Sequence, residues 1–460
     1  MSEHPEGKTI PGKLFYTGYV SVVVALGGFL LGFDFSVIAG VLPFLEGYFN
    51  LDATRLGFAA ANVSYGAVLG TVAAGPAIHR VGRKKVLIAC AVLYTASAIM
   101  SAVATDLTFF NISRIIGGLA IGASIITAPV YVAEIAPPQF RGRLVGLNQF
   151  TIVLGISVAY FSNYFLLDVG DDNWRWMLGV EAIPASLYVL LLLRVPESPR
   201  WLVVKGREAA ARKVLERLAD RAQAAKILQE IRASLAGSSR KTRYRDLFRG
   251  NMARVMTIAI LLGLCQQMSG VNAVFSYAPM IFERAGAATS AAFISAAVVG
   301  VVNLLSTVIA IWSMDRFGRR PLLMAGAAGM TLAHALLAGS AFAGHFEGYL
   351  VLAAIMLFIA SFALSVGPGY WILISEILPN WARGIAISVI QAITSMASIV
   401  VVQLFPWQVS AVGIAGTFSV YALVTVFTII LVQRFVPETK GKSLERIQED
   451  MLARSGATQS

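Results

Sequence analysis

RVGRK, residues 80–84, stands between two long apolar runs and returns as RFGRR at 316–320. Other words return in the same order. Glu134 followed by Arg141-Gly142 is echoed by Glu376 followed by Arg383-Gly384, and PES at 196–198 by PET at 437–439. The offsets are nearly constant, so the chain reads as two like-oriented halves, a plan used by one large class of secondary transporters. Each RxGR word suits a tight turn whose glycine permits the bend and whose arginines stay in water.

The rest of the composition agrees with that reading. Of 460 residues, 57% are hydrophobic and only 13% charged, where soluble domains carry about a quarter charged residues. Mean hydropathy is +0.72. Apolar runs near the length a bilayer needs lie at 17–45, 57–78, 86–104, 108–130, 144–167 and 174–193. They resume at 255–282, 290–313, 321–343, 349–373, 384–406 and 412–434. The expected fold class is therefore an all-α membrane protein of twelve transmembrane helices in two pseudo-symmetric six-helix bundles. The first run is too long for a signal peptide and has no clear cleavage pattern, so it reads as a retained first helix.

The net charge of +12 does not describe a nucleic-acid surface. Sixteen Lys and Arg fall between Arg194 and Arg254, and most others occupy alternate short loops. By the positive-inside rule both termini and the middle segment are expected in the cytoplasm. Expected divisions are a first bundle over 1–194, a cytoplasmic linker over 195–254, a second bundle over 255–436 and a tail over 437–460. In the linker, GREAAARKVLERL and AAKILQEIRASLAG read as short amphipathic helices.

Two cysteines, Cys90 and Cys265, lie in apolar runs, and four histidines are scattered. This spacing offers neither a disulfide framework nor a metal site. GKS at 441–443 fails as a P-loop because Val436 stands where the first glycine belongs. An enzyme, a nucleotide-driven pump and a cofactor are not expected, nor is an obligatory protein partner.

These words together resemble the sugar porter family of the major facilitator superfamily, over nearly the whole chain. The matches are RVGRK, RIIGG (114–118), PVYVAEIAPPQFRG (129–142), PESPRWL (196–202), QQMSGVN (266–272), DRFGRR (315–320), GPGYW with SEILP (367–379), and PETKGKSL (437–444). The resemblance implies two bundles that rock about a substrate held at mid-membrane. It draws attention to Asp34, set in the apolar stretch GFLLGFDFSVIAGVLPF (28–44) with no basic residue within a helical turn. A carboxylate at mid-helix costs roughly 2.5–3.5 kcal/mol on insertion scales, so it should face inward and have a partner. Arg114, alone at the start of IIGGLAIGASII, is the best one.

In bacterial sugar–proton symporters of this family an aspartate at this place pairs with that arginine and carries the proton. Facilitative mammalian relatives typically have asparagine there. The resemblance adds Glu181 as a further carboxylate near the pair. Asp34 is expected to be ionised while paired with Arg114 and to take a proton when the pair parts.

For the substrate, carboxamides suit a sugar because each offers donors and acceptors without net charge. The family pattern carries over onto Gln149, Gln266, Gln267, Asn272, Asn303 and Trp371, with Thr394 at a place where many relatives have an amide. Ideal helix geometry sets 266, 267 and 272 at about 0°, 100° and 240°, so unwinding at Gly270 is expected if Gln267 and Asn272 are to face one site. A cytoplasmic gate is expected from Arg80, Arg83, Glu134, Arg141 and Glu197, repeated as Arg316, Arg319, Glu376, Arg383 and Glu438, through ion pairs holding the halves together in one state. Three departures from the family stand out. Thr394 and Ser395 replace an amide and a tryptophan, with Gln391 one turn earlier. Ser276-Tyr277 replaces a tyrosine after QQxSGxN. His79 replaces an aspartate before RVGRK. The expected function is proton-coupled symport of a hexose or pentose in a bacterial plasma membrane. A proton-independent sugar or polyol uniporter and a sugar sensor on the same fold stay open. A multidrug antiporter shares the fold but usually lacks QQxSGxN and PESPRWL.

Overall fold

The structure, a computed structural model, describes residues 11–136, 141–236, 244–379 and 381–440. The side chain of Arg141, and GKS at 441–443, lie outside the described residues. Among those described there is no strand. The first half comprises α1 (Pro11–Tyr48), α2 (Ala53–Val81), α3 (Arg83–Ala102), α4 (Leu107–Ile135), α5 (Arg141–Phe165), α6 (Asn173–Gly179) and α7 (Ala182–Arg194). Three short helices follow: α8 (Pro199–Val204), α9 (Glu208–Leu218) and α10 (Arg221–Ala236). The second half comprises α11 (Gly250–Met268), α12 (Val271–Arg284), α13 (Thr289–Phe317), α14 (Arg319–Phe342), α15 (Gly348–Ser361), α16 (Gly367–Ile377) and α17 (Arg383–Phe435).

Among the described residues, ten helical stretches are long and apolar enough to cross a membrane. The 53 residues of α17 would run about 80 Å as one helix, far beyond a hydrocarbon core of about 30 Å. A non-helical backbone at Gly413 (φ 72°, ψ 171°) breaks it into two. With α5, which lies along α1, the crossings number twelve.

Three of the twelve are interrupted. Between α6 and α7, Pro184 has no N–H for the Val180 carbonyl, which accepts instead from Ile183 N at 3.1 Å. This break was not expected over 174–193, although Pro184 is a visible breaker. Between α11 and α12, Gly270 adopts a left-handed conformation (φ 84°, ψ 5°), as expected. Between α15 and α16, Phe362–Val366 forms a π-helical turn ahead of Gly367 and Pro368.

Helices inside each half approach closely. A Cβ at Gly118 in α4 would sit 2.1 Å from the Val63 carbonyl oxygen of α2, and one at Gly32 in α1 would sit 1.9 Å from that of Ile152 in α5. Such crossings need small residues, the usual device where lipid supplies no hydrophobic drive between helices.

The halves meet at the end opposite the RxGR turns. There Val37, Leu42 and Leu45 of α1 share one core with Val274, Phe275 and Phe282 of α12 and Phe293 of α13. Tyr160 donates to the Phe275 carbonyl at 2.6 Å, Ser157 to that of Gly300 at 2.8 Å, and Tyr65 to Gln403. Toward the basic end the first half keeps a core of its own, with Val20, Val24, Ala128, Tyr131 and Leu192. The helices expected in the linker are present as α9 and α10, tied by Arg232 and Glu208. α8 is anchored by Trp201, whose Nε1 donates to the His79 carbonyl at 3.1 Å.

Candidate functional site

Asp34 and Arg114 are each 1% exposed. Arg114 donates through Nη1 to the Asp34 carboxylate and through Nη2 to the Asp34 carbonyl at 2.8 Å. Local sequence makes this possible. One turn after Arg114, a Cβ on Gly117 would meet Asp34 Oδ2 at 2.9 Å and Ser97 Oγ at 2.5 Å. RIIGG thus supplies the guanidinium and the space for its partner on one helix face. Glu181, 2% exposed, sits at the α6–α7 break, and its charge neighbours are Asp34 and Arg114. Asp34 Oδ2 and Glu181 Oε1 are both buried and neither is met by a cation, and the two carboxyl groups lie within reach of each other. Two acidic groups and one guanidinium therefore share a buried pocket in the first half, where electrostatic interactions are strong.

A second polar line crosses the other half. At the Gly270 break, Asn272 Nδ2 donates to Gln267 Oε1 at 2.7 Å and to Ser398 Oγ at 2.7 Å. Both carboxamides are half-buried. One turn and two turns before Ser398 on α17 come Ser395 and Gln391, joined at 3.1 Å. Trp371 packs edge-on against Tyr370 with ring centres 5.0 Å apart. Gln266 differs from its neighbour: it is buried, and its amide donates to the Val366 and Gly367 carbonyls, both at 3.2 Å. It fastens α11 to the π-helical turn and α16. Asn303 is buried in α13.

Gln149 is exposed. It lies about 20° around α5 from Tyr160, whose hydroxyl three turns on donates to the Phe275 carbonyl of the second half. Thr394 departs from expectation. It is fully buried, its hydroxyl donates to the Gln391 carbonyl at 3.1 Å, and its methyl faces Gly263 of α11. It does not join the polar line. Ser398, absent from the sequence reading, does join it; a serine in an apolar helix carries no signature of its own.

The basic end holds two copies of one network. In the first half Arg83 pairs with Glu134 at 2.8 Å, Ser198 Oγ donates to the other Glu134 oxygen at 2.5 Å, and Glu197 accepts from the backbone N–H groups of Arg83 and Lys84 at 3.0 and 3.2 Å. In the second half Arg319 pairs with Glu376 at 2.9 Å, Thr439 Oγ1 donates to Glu376 at 2.6 Å, and Glu438 accepts from Arg319 N and Arg320 N at 3.0 and 3.1 Å. Each second carboxylate sits on the first N–H groups of a helix, where the dipole favours it. Gly82 (φ 99°) and Gly318 (φ 91°) turn the chain there, and a Cβ on either would strike that carboxylate, at 2.3 and 2.8 Å. Burial opposes ionisation of Glu438, but its backbone donors prevail and hold the carboxyl below its ordinary value.

The named pairs each close within a half rather than across the halves, so the expectation of inter-bundle ion pairs is not met in this conformation. Arg383 donates to the Leu378 carbonyl at 3.1 Å. Arg80 is exposed, and Arg316 lies over the Trp312 ring at 4.9 Å. His79 is exposed, outside the network its sequence position suggested. The hydroxyls of Ser198 and Thr439 complete these networks, and PES and PET preserve a hydroxyl at that place.

Two like-oriented six-helix bundles, with polar groups buried where they adjoin, define a major facilitator transporter and a multi-pass membrane protein. A family model described as Sugar (and other) transporter matches residues 20–451, and the chain belongs to that family. It is 36% identical to the D-xylose-proton symporter of Escherichia coli K12, over 94% of this chain and 95% of that protein. It is 36% identical to the arabinose-proton symporter of Bacillus subtilis 168, over 94% of each. The galactose-proton symporter of Escherichia coli K12 is 38% identical, over 95% and 94%. Among solved structures, the partially occluded inward-open xylose transporter XylE of E. coli superposes with a TM-score of 0.83 at 34% identity, covering 93% of this chain and 100% of that one. XylE bound to 6-bromo-6-deoxy-D-glucose gives 0.78 at 35% identity, covering 95% and 99%.

Proposed function

We propose that this protein is a proton-coupled symporter of a hexose or pentose, working by alternating access in a bacterial plasma membrane with both termini in the cytoplasm. The observation that carries the reading is the sealed Asp34–Arg114 pair with Glu181 beside it. A pair this deeply buried is an expensive structural device; as a proton carrier it has a use. Asp34 holds Arg114 as a carboxylate. When a proton reaches it, the guanidinium is released and the first bundle can rearrange. Opening to the cytoplasm returns the proton to water.

The sugar is held by Gln267, Asn272 and Gln149, with Ser398 replacing Thr394 in the role expected of α17 and Trp371 offering an aromatic face. Gln266 and Asn303 support the site from buried positions. The seam opposite the basic end is the closed outer gate, and the basic end faces the cytoplasm in line with the positive-inside rule. The conformation is thus inward-facing, as is the partially occluded inward-open relative on which it superposes. The paired networks at the basic end brace residues 1–194 and 255–436 as two rocking bodies, and the bilayer is the partner both require. Arg80, Arg141, Arg316 and Arg383 serve the cytoplasmic gate.

The test is uptake of labelled xylose, arabinose, galactose, glucose and small polyols into proteoliposomes, with and without an inward proton gradient. Accumulation driven by the gradient supports symport. Uptake that only equilibrates, indifferent to the gradient, rejects proton coupling in favour of a uniporter.

A further inference from the structure

His334 of α14 is fully buried, takes no part in the chemistry above, and faces the break between α11 and α12. Its Nε2 lies 3.0 Å from the Ser269 carbonyl oxygen. A carbonyl can only accept, so Nε2 carries the hydrogen and donates. Ser269 is the last residue before left-handed Gly270, where the regular helix ladder is interrupted. A carbonyl freed by such a break and sealed from water needs a donor. His334 supplies one.

The histidine is itself fixed. Its ring packs against Phe358, Phe418 and Tyr421, with centres 4.4, 5.8 and 5.8 Å away. Tyr421 also closes on Gly270, where an added Cβ would sit 2.5 Å from the tyrosine ring. The other face of the same break carries the Gln267–Asn272 bond. We propose that His334 is a positioning residue for the sugar site: by gripping the Ser269 carbonyl it sets the angle between α11 and α12 that brings Gln267 and Asn272 together. This rests on reading those two amides as sugar ligands.

The test uses the full-length protein in nanodiscs, equilibrium binding of labelled xylose, arabinose and galactose, and hydrogen exchange of the amides of Ser269, Gly270 and Val274. Three variants separate shape from donation. His334→Phe keeps a ring and loses the donor. His334→Gln places an N–H near the Nε2 position. His334→Asn places one near Nδ1, which has no partner. The expected result is a dissociation constant raised about tenfold in His334→Phe, the loss that one unmatched buried carbonyl implies. His334→Asn should behave alike and His334→Gln should recover, with faster exchange at the break in the first two only. Wild-type binding by His334→Phe, or equal behaviour of Gln and Asn, overturns the proposal. If His334→Phe does not fold, the Gln–Asn comparison decides. If the wild type binds none of the three sugars, the sugar reading fails, and the exchange pattern alone decides whether His334 holds the break.

Discussion

Replacing Asp34 with Asn removes one negative charge from a pocket that holds two acidic groups and one guanidinium. Two magnitudes follow. The first concerns coupling. One proton crossing 100 mV releases about 2.3 kcal/mol, and about 1.4 kcal/mol is a factor of ten. One proton per sugar therefore sustains about 45-fold accumulation at that voltage. In the Asp34→Asn variant the ratio should fall to unity, while exchange of labelled for unlabelled sugar across the membrane continues, because the polar line in the second half is untouched.

The second magnitude concerns stability. Removing one partner of a buried pair typically costs about 3–5 kcal/mol. Asp34→Asn alone should cost less, because Glu181 remains to meet the guanidinium. Adding Glu181→Gln strips Arg114 of both carboxyl neighbours and should bring the full loss. Proteoliposome accumulation under an imposed potential reads the first effect, and melting of the purified protein reads the second. Sugar accumulated above the external concentration by Asp34→Asn would refute the coupling argument. A double variant as stable as wild type would refute the electrostatic one.

Other outcomes are equally open to measurement. Glu376→Gln weakens the Arg319 and Thr439 contacts; a loss of about 1.4 kcal/mol would change the ratio of inward to outward conformers roughly tenfold, and an unchanged spin-label distance distribution would reject the brace. Gly57→Leu should pry open the outer gate, since even a Cβ there would lie 1.9 Å from the Gln403 carbonyl oxygen; labelling of a cysteine at position 38 from outside should rise. Glu438 has a folded pKa below its ordinary 4.5. Its contribution is therefore complete above that value and disappears as pH falls through the lower folded one, so protease access to the tail should stay at its neutral-pH level through pH 4.5 and rise only below it. Tail release already under way above pH 4.5 would contradict this.

The fold was readable because the constraint that shapes it, a bilayer, leaves long apolar runs and basic turns that need no knowledge of distant contacts. Asp34 and Arg114 were readable for a related reason: a lone acid and a lone base in oil have few alternatives to each other. The division of labour among the amides was not. Gln266 and Gln267 are adjacent and chemically alike, and only the π-helical turn ahead of α16, a feature of another segment, turns the first into a fastener. Thr394 and Ser398 lie one turn apart on α17, and which one meets Asn272 depends on how α11 and α12 bend. The position of Glu181 depends on the break at Pro184, a lone proline inside an otherwise apolar run, where hydropathy alone marks no interruption. The charges at the basic end were legible as residues, and the structure joins Arg83 with Glu134 and Arg319 with Glu376. Their pairing within each half reflects the conformation the molecule occupies, which a sequence shared by all conformations does not encode.

Asp34, Arg114 and Glu181 belong to one bundle, and Gln267, Asn272 and Ser398 to the other. If these groups act as proposed, the hydrogen ion boards one vehicle while most of the grip on the solute rides on the other, the two sharing a single axle. On the proposed reading, a chimera joining this chain's first six crossings to the last six of a relative with different tastes should inherit its fuel from the first parent and, Gln149 apart, most of its diet from the second.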